Sequence, residues 1–195
     1  MEISYAISVY FGQSCTAKRI ATAAASVISE HVYGIDLCAK AAPARICSGG
    51  DVLVAAMPIS GGRLTPAVIK GLSGLRGNGT PAVAIVLCGS GGFGDSLLEL
   101  CDLLTAQGFS VIGAAAFVSQ GHQRPDDGDY SKLVEFASAC ARALESFGGC
   151  CRNLNLPGSR PYQKPAEKSL PGAFARAFHR AERRPEQRSE PVWFI

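Results

Sequence analysis

The stretch Pro81–Asp95 reads PAVAIVLCGSGGFGD, and it carries the pattern that decides the fold. Its first eight residues, Pro81–Cys88, are almost uniformly apolar, which is typical of a parallel strand covered by helices on both faces. Four glycines in six residues follow directly, and a helical pattern begins at Asp95. A strand, a glycine-rich turn and a helix in succession predict one βα unit of a parallel sheet.

The same alternation of strand and helix patterns extends over most of the chain. Strands are predicted at Ile3–Phe11, Tyr33–Leu37, Asp51–Pro58, Pro81–Cys88 and Phe109–Val118. Helices are predicted at Thr16–Val32, Pro66–Leu75, Asp95–Gln107 and Tyr130–Phe147. Five apolar strands joined by helices over about 150 residues fit an α/β fold with a five-stranded parallel sheet in the flavodoxin-like order 2-1-3-4-5. Right-handed crossovers place helices on both faces of this sheet.

Length and charge divide the chain into a globular part and a basic tail. The 195 residues suit one domain, predicted at residues 1–150, followed by an extension over residues 151–195 that holds a short helix, Gly172–Arg184. Residues 1–151 hold ten Lys/Arg and twelve Asp/Glu, a net of −2, whereas residues 152–195 hold nine and four, a net of +5. We interpret the tail as a solvated extension, with docking on an acidic partner or a phosphate as the alternative, and the overall charge of +3 is too small to indicate nucleic-acid binding. The apolar end, Pro191–Ile195, packs either on its own domain or on a second copy in a homodimer.

Several functional classes are not supported by the sequence. Its longest apolar runs have about 8 residues, against the roughly 20 that a membrane-spanning helix needs. Met1-Glu2-Ile3 lacks the basic start of a signal peptide, so we expect a cytoplasmic protein. Eight cysteines without metal-ligand spacing predict reduced thiols and no metal site. Three scattered histidines and the absence of a Gly-x-Ser-x-Gly motif argue against a hydrolase, and we predict no catalytic side chain.

Three loops follow the first, third and fourth predicted strands and therefore meet at the carboxyl edge of the sheet. The first contains Gly12, Gln13, Ser14, Cys15 and Thr16 at the start of a helix. The second contains Pro58, Ile59, Ser60, Gly61, Gly62 and Arg63, and the third contains Cys88, Gly89, Ser90, Gly91 and Phe93. Small polar residues at a helix start form a site for phosphate, or serve simply as helix caps. Glycines in the other two loops let backbone approach a flat ligand, although the second also fits an ordinary turn before a Pro-started helix.

The third loop also matches G-x-G-x-x-G at Gly89, Gly91 and Gly94. A nicotinamide site needs this motif after the first strand, and an acidic residue about 20 positions later. The motif here follows the fourth predicted strand, and Phe109–Val118 contains no Asp or Glu. The sequence therefore disfavours a dinucleotide site in this loop.

Five segments together resemble flavodoxin domains. Tyr10–Thr16 is similar to the first loop of flavodoxin-type domains. Pro58–Leu64 resembles the Pro-Val-Tyr-Gly-Gly-Arg-Leu segment of flavodoxin domains in flavodoxin–ferredoxin fusion proteins. Val83–Val118 resembles the same group, and so do Arg124-Pro125-Asp126 and Leu156–Tyr162. The iron–sulfur cysteines of the fusion's ferredoxin module do not occur in this chain.

The resemblance implies an FMN cofactor. In that family the first loop binds the phosphate, so residues 12–16 are expected to hold it. The isoalloxazine ring lies between the other two loops, which here correspond to residues 58–63 and 88–93. The implied function is electron transfer, or simple flavin redox chemistry, with a redox partner protein such as a ferredoxin or a reductase.

Departures from the family pattern support a second hypothesis. Gln13, Ser14 and Cys15 stand where the family has Thr, Gly and Asn, and Ser60 replaces an aromatic residue that would stack on the flavin. Ser90 and Gly91 replace Asn and Arg. The alternative function is therefore an interaction or scaffold module with weak or lost FMN binding.

Overall fold

The computed structural model describes residues 3–12, 15–38, 45–89, 92–118, 127–148, 154–163 and 191–195. The strands in these ranges are β1 (Tyr5–Tyr10), β2 (Val32–Asp36), β3 (Arg45–Ile46), β4 (Asp51–Ser60), β5 (Arg63–Leu64), β6 (Leu75–Arg76), β7 (Thr80–Cys88), β8 (Phe109–Val118) and β9 (Val192–Phe194). The helices are α1 (Cys15–Ile28), α2 (Pro66–Leu72), α3 (Ser96–Ala106) and α4 (Asp127–Glu145). The predicted helix Gly172–Arg184 lies outside the described residues.

The central sheet has the strand order β2-β1-β4-β7-β8-β9. Its first five strands pair in parallel, which confirms the predicted α/β flavodoxin-like fold and the order 2-1-3-4-5. The chain passes from β1 to β2 on one side and then returns to β4 on the other side. This reversal is the switch point of the sheet, where ligands of open α/β folds bind.

The core consists of two apolar layers, one on each face of the sheet. One layer contains side chains of α2 and α3, including Val68, Leu72 and Leu100. The other contains side chains of α1 and α4, including Ile20 and Phe136. Every residue of β7 is buried, because helices cover both of its faces. These layers fix the strands whose ends form the candidate site.

The boundaries of some predicted elements change where tertiary pairing outweighs local pattern. Helical spacing predicts that the first helix reaches Val32, but α1 ends at Ile28 and Val32 pairs with Ala6 in the sheet. The predicted second helix likewise ends at Leu72, because Leu75 belongs to a small parallel pair of β3 with β6. Short pairs such as these give too few residues for a recognisable period.

The end of the chain adds a strand that the sequence analysis did not assign. β9 pairs antiparallel with β8, with Trp193 opposite Ala115. The Trp193 ring lies 6.3 Å from the Phe136 ring, between centroids, whereas Phe194 packs on the layer of α2 and α3. Of the two placements left open for this apolar end, the structure shows packing on its own domain. Contacts of residues 154–163 and 192–194 thus cross the predicted boundary at residue 150.

Candidate ligand site at the carboxyl edge of the sheet

The first loop is fixed to the end of β2 by a carboxylate. The Gly12 N–H donates to Asp36 Oδ1 at 2.9 Å, and the Cys38 N–H donates to the same oxygen at 2.8 Å. A Cβ atom on Gly12 would lie 2.1 Å from Asp36 Oδ2, so any other residue there would displace the carboxylate. The sequence analysis did not assign a role to Asp36. An acidic residue at the end of the strand next to β1 is the feature of the sequence that could have identified it.

The rest of the first loop leads into α1. Cys15 is exposed and Thr16 is half-buried, and both belong to the first turn of the helix. That turn contains no acidic residue, so no carboxylate of its own opposes an anion at the positive helix end. Lys18 lies in the same turn, with Nζ 5.8 Å from the centroid of the Tyr10 ring. Gln13 and Ser14 lie outside the described residues.

The predicted second loop is a tight hairpin. Ser60 of β4 pairs with Arg63 of β5, so the connection contains only two residues. Those residues, Gly61 and Gly62, have φ of 59° and 77°, the positive values that a two-residue type I′ turn requires. Of the preceding residues, Pro58 and Ile59 are half-buried, while Ser60 is exposed. The backbone of the second loop therefore forms an ordinary turn, and α2 begins at Pro66, as that interpretation of the sequence expects.

The third loop exposes bare backbone. Gly89 is exposed, and a Cβ atom on Gly89 or Gly92 would meet nothing within 4 Å. Phe93 is half-buried, and its side chain packs against the layer of α2 and α3. Ser90 and Gly91 lie outside the described residues. This open backbone is what the close approach of a flat ligand needs.

Cys88, at the end of β7, has a structural role. It is buried, and its thiol donates to the Phe117 carbonyl oxygen at 3.4 Å. Burial raises the pKa of the Cys88 thiol, so the side chain stays protonated at neutral pH. A neutral buried thiol is not a nucleophile. Cys88 therefore links β7 to β8 beneath the third loop.

The second and third loops touch at two glycines. A Cβ atom on Gly94 would lie 2.8 Å from the Gly62 carbonyl oxygen and 3.0 Å from Gly62 Cα. Gly94 also has a positive φ of 50°. A side chain at Gly94 would therefore separate the two loops, and one at Gly62 would meet Gly94 Cα at 3.3 Å. The structure thus joins two of the three predicted loops by direct backbone contact.

Arg63 is bound by an ion pair. Its Nε and Nη2 donate to the two carboxylate oxygens of Glu99 at 2.9 and 2.7 Å, and its Nη1 donates to the Gln163 carbonyl oxygen at 2.6 Å. The Leu64 N–H donates to Glu99 as well, at 3.0 Å. The side chains of Arg63 and Glu99 are only 19% and 10% exposed. The hydrogen bonds that Arg63 donates to Glu99 raise the pKa of the Arg63 guanidinium.

Two further carboxylates hold residues 154–163, which we call the C-terminal segment: Asp95, the residue before α3, and Asp102 within α3. Asp95 accepts the Ser159 N–H at 3.2 Å and the Gln163 N–H at 2.7 Å. Asp102 accepts Arg160 Nε at 2.7 Å and the Tyr162 hydroxyl at 2.6 Å. These two donors lower the pKa of Asp102. The sequence analysis missed this function of α3, although Asp95, Glu99 and Asp102 have the spacing of one helix face.

In the part of the chain that the structure describes, side chains of the metal-ligating types do not form a cluster. No group of three His, Cys, Asp or Glu side chains there could hold a metal ion. The six cysteines in those ranges are free thiols. Among the described helices, none combines the length and the apolar character needed to cross a membrane.

Comparisons with known proteins support the fold. No protein-family model matches the sequence, and no curated protein sequence matches it. Among solved structures, the chain is similar to an NADH:FMN oxidoreductase in its apo form, with 18% identity, a TM-score of 0.56, and coverage of 74% of this chain and 91% of that one. It is also similar to a flavodiiron core from Synechocystis sp. PCC6803, with 16% identity and a TM-score of 0.52 over 73% of this chain and 36% of that one. A flavodoxin from the domain Archaea matches with 14% identity, a TM-score of 0.49, and coverage of 72% of this chain and 99% of that one. The class defined by this sheet order is the flavodoxin-like α/β fold.

Proposed function

We propose that this chain is a flavodoxin-like protein that binds FMN at the carboxyl edge of the sheet and functions in electron transfer or simple flavin redox chemistry. The observation that carries the proposal is the strand order, which places the ends of β1, β4 and β7 side by side at the switch point of the sheet. Ligands of open α/β sheets bind at this place. The comparison with an NADH:FMN oxidoreductase of similar fold agrees with a flavin ligand.

The residues at the edge fit the two chemically different ends of FMN. A helix start without acidic residues, with Thr16 and the nearby Lys18, suits the phosphate. The bare backbone at Gly89 and Gly92, together with the turn of the β4–β5 hairpin, suits the flat ring. Bound flavin would supply the redox chemistry, while the chain binds the cofactor and tunes its potential. No acid or base side chain is required for that function.

The proposal extends to a relationship with the flavodoxin domains of flavodoxin–ferredoxin fusion proteins. Two of the segments that carry this resemblance, Pro58–Leu64 and Leu156–Tyr162, contact each other through Arg63 and Tyr162, with Arg63 Cζ 4.9 Å from the ring centroid. Because the two segments lie in contact, we treat them as parts of one motif that this chain shares with those domains. We accordingly propose a redox partner protein, such as a ferredoxin or a reductase.

Two observations favour the alternative, a flavodoxin-fold interaction module with weak or lost FMN binding. Asp36 accepts the Gly12 N–H, which would otherwise face a phosphate, and brings a negative charge to the first loop. Ser60, at the hairpin, offers no aromatic surface for a flavin ring. An aromatic contact contributes about 0.5–1.5 kcal/mol, so its loss weakens binding by up to about tenfold.

A titration of the purified protein with FMN, followed by flavin fluorescence, separates the two functions. An FMN-binding protein quenches the fluorescence in a saturable manner and retains a visible flavin spectrum after gel filtration. The Ser60→Tyr variant restores an aromatic residue and is expected to bind more tightly than wild type. If neither protein changes the fluorescence of FMN, the proposal is wrong and the interaction module remains.

A further inference from the structure

The C-terminal segment contacts both loops of the proposed ring site. Its last described residue, Gln163, accepts a hydrogen bond from Arg63 of the hairpin and donates one to Asp95, which follows the third loop. Gly62 and Gly94 touch directly between those two positions. Each of the three elements, the hairpin, the third loop with Asp95, and the C-terminal segment, thus contacts the other two.

A residue of α3 that lies away from the loops holds the C-terminal segment. Asp102 follows Glu99 by one turn, and it binds both Arg160 and Tyr162 of the segment. The Tyr162 ring in turn lies against the guanidinium of Arg63. Asp102 therefore reaches the hairpin only through another side chain.

We propose that the C-terminal segment is an integral part of the ring site, and that Asp102 and Tyr162 are positioning residues that hold Arg63 and thereby the hairpin turn. This inference rests on the proposed function, because the ring it concerns is that of FMN. Bidentate Arg–carboxylate pairs fix geometry as well as contribute energy. A displaced Tyr162 leaves Arg63 with Glu99 but removes the surface that limits its motion.

The direct test is amide hydrogen exchange of flavin-free protein, combined with FMN titration. The variants are Asp102→Asn, which removes the charge, and Tyr162→Phe, which retains the ring over Arg63 but removes the hydroxyl. Glu135→Gln is the matched control, because Glu135 is an exposed carboxylate on α4, on the opposite face of the sheet. Thermal unfolding of each variant tests whether the fold is retained.

We expect residues 59–66 to exchange at least about fivefold faster in Asp102→Asn, with a smaller increase in Tyr162→Phe, since these exchange rates report local opening. FMN should bind about three- to tenfold more weakly to Asp102→Asn, with a shifted visible spectrum of the bound flavin. The control should match wild type in all three measurements.

The outcomes of this test separate the inference from the proposed function. Where wild type binds FMN, unchanged exchange or unchanged affinity in both variants overturns the inference, because the segment would then not position the site. If wild type binds no FMN, the proposed function is overturned, and exchange alone decides: faster exchange of residues 59–66 supports positioning of the hairpin, and unchanged exchange overturns it.

Discussion

At the scale of single residues, the Gly12–Asp36 contact determines how the first loop is held. The carboxylate accepts two backbone N–H groups, one from this loop and one from Cys38 after β2. Such charge-assisted hydrogen bonds are stronger than neutral ones. Gly12, where the first loop begins, is therefore held at the end of β2.

We predict that Gly12→Ala destabilises the protein by about 1–3 kcal/mol, since its Cβ would lie 2.1 Å from Asp36 Oδ2 and the carboxylate must move. Gly49→Ala is the matched control, because its Cβ meets nothing within 4 Å. Chemical denaturation measures both free energies of unfolding. The double variant Gly12→Ala/Asp36→Ala should recover part of the loss, and equal stability of the two single variants would contradict the prediction.

The proposed phosphate site gives a second prediction. Thr16→Asp should weaken FMN binding at least tenfold, because it places a negative charge beside the phosphate. The fold should be retained, since an acidic residue in the first turn of a helix is favourable. Ser26→Asp, an exposed position of the same helix, controls for the added charge. Equal affinities of the two variants would mean that the phosphate lies elsewhere.

Tyr162 gives a prediction about alkaline pH. Burial, and the hydrogen bond that its hydroxyl donates to Asp102, raise the pKa of Tyr162 from 10.0 to about 12. Because folding favours the neutral phenol, its contribution to stability is complete below pH 10 and is lost as pH rises toward 12. Tyrosinate absorbance during an alkaline titration should show one late-titrating group that is absent from Tyr162→Phe. Identical titration curves for the two proteins would refute this assignment.

At the scale of secondary-structure elements, the packing of β9 shows how a short strand contributes to the core. β9 has only three residues, but Trp193 reaches the layer of α1 and α4 while Phe194 reaches the other layer. Successive side chains of a strand point to opposite faces, so β9 seals both layers at the edge of β8.

We predict that Trp193→Ala lowers the free energy of unfolding by about 1–3 kcal/mol, because it removes a half-buried ring that contacts Phe136. Val192→Ala, at a position 43% exposed, should change it by less than about 0.5 kcal/mol. Chemical denaturation followed by circular dichroism measures both free energies of unfolding, because Trp193 is the single tryptophan of the chain and its fluorescence is lost in the first variant. Equal stability of both variants would mean that β9 contributes little.

The limits of sequence reasoning are also visible in particular elements. The apolar runs of β7 and β8 were predictable to within a residue, because strands buried on both faces carry a strong local signal. β5 and β9 were not, since two or three residues pair only because their partner strand is already in place. The three loops were located from the sequence, but the Arg63–Glu99 pair joins residues 36 positions apart, and Asp36 reaches back 24 positions to Gly12.

At the scale of the whole molecule, the tail beyond the C-terminal segment gives the last prediction. Removing residues 172–195 deletes β9 and opens the edge of β8, so the melting temperature should fall. Exposed strand edges pair with other chains, and the mass in solution should change. Deleting only residues 191–195 also removes β9 but retains residues 172–190 of the basic extension. Comparing the two deletions therefore separates the loss of β9 from the loss of the homodimer expected through that extension. If both truncated proteins keep the mass and melting temperature of the full chain, the tail is a free extension.

The position of β9 in the sequence has a consequence for synthesis of the protein. Every other strand of the sheet in the described residues leaves the ribosome before it, and β8 precedes it by more than 70 residues. A nascent chain can therefore assemble the parallel sheet and both helical layers while one edge still lacks its partner. During that interval the edge offers unpaired backbone to neighbouring nascent chains, which is a common route to misassembly. The pairing of β9 with β8 closes that route.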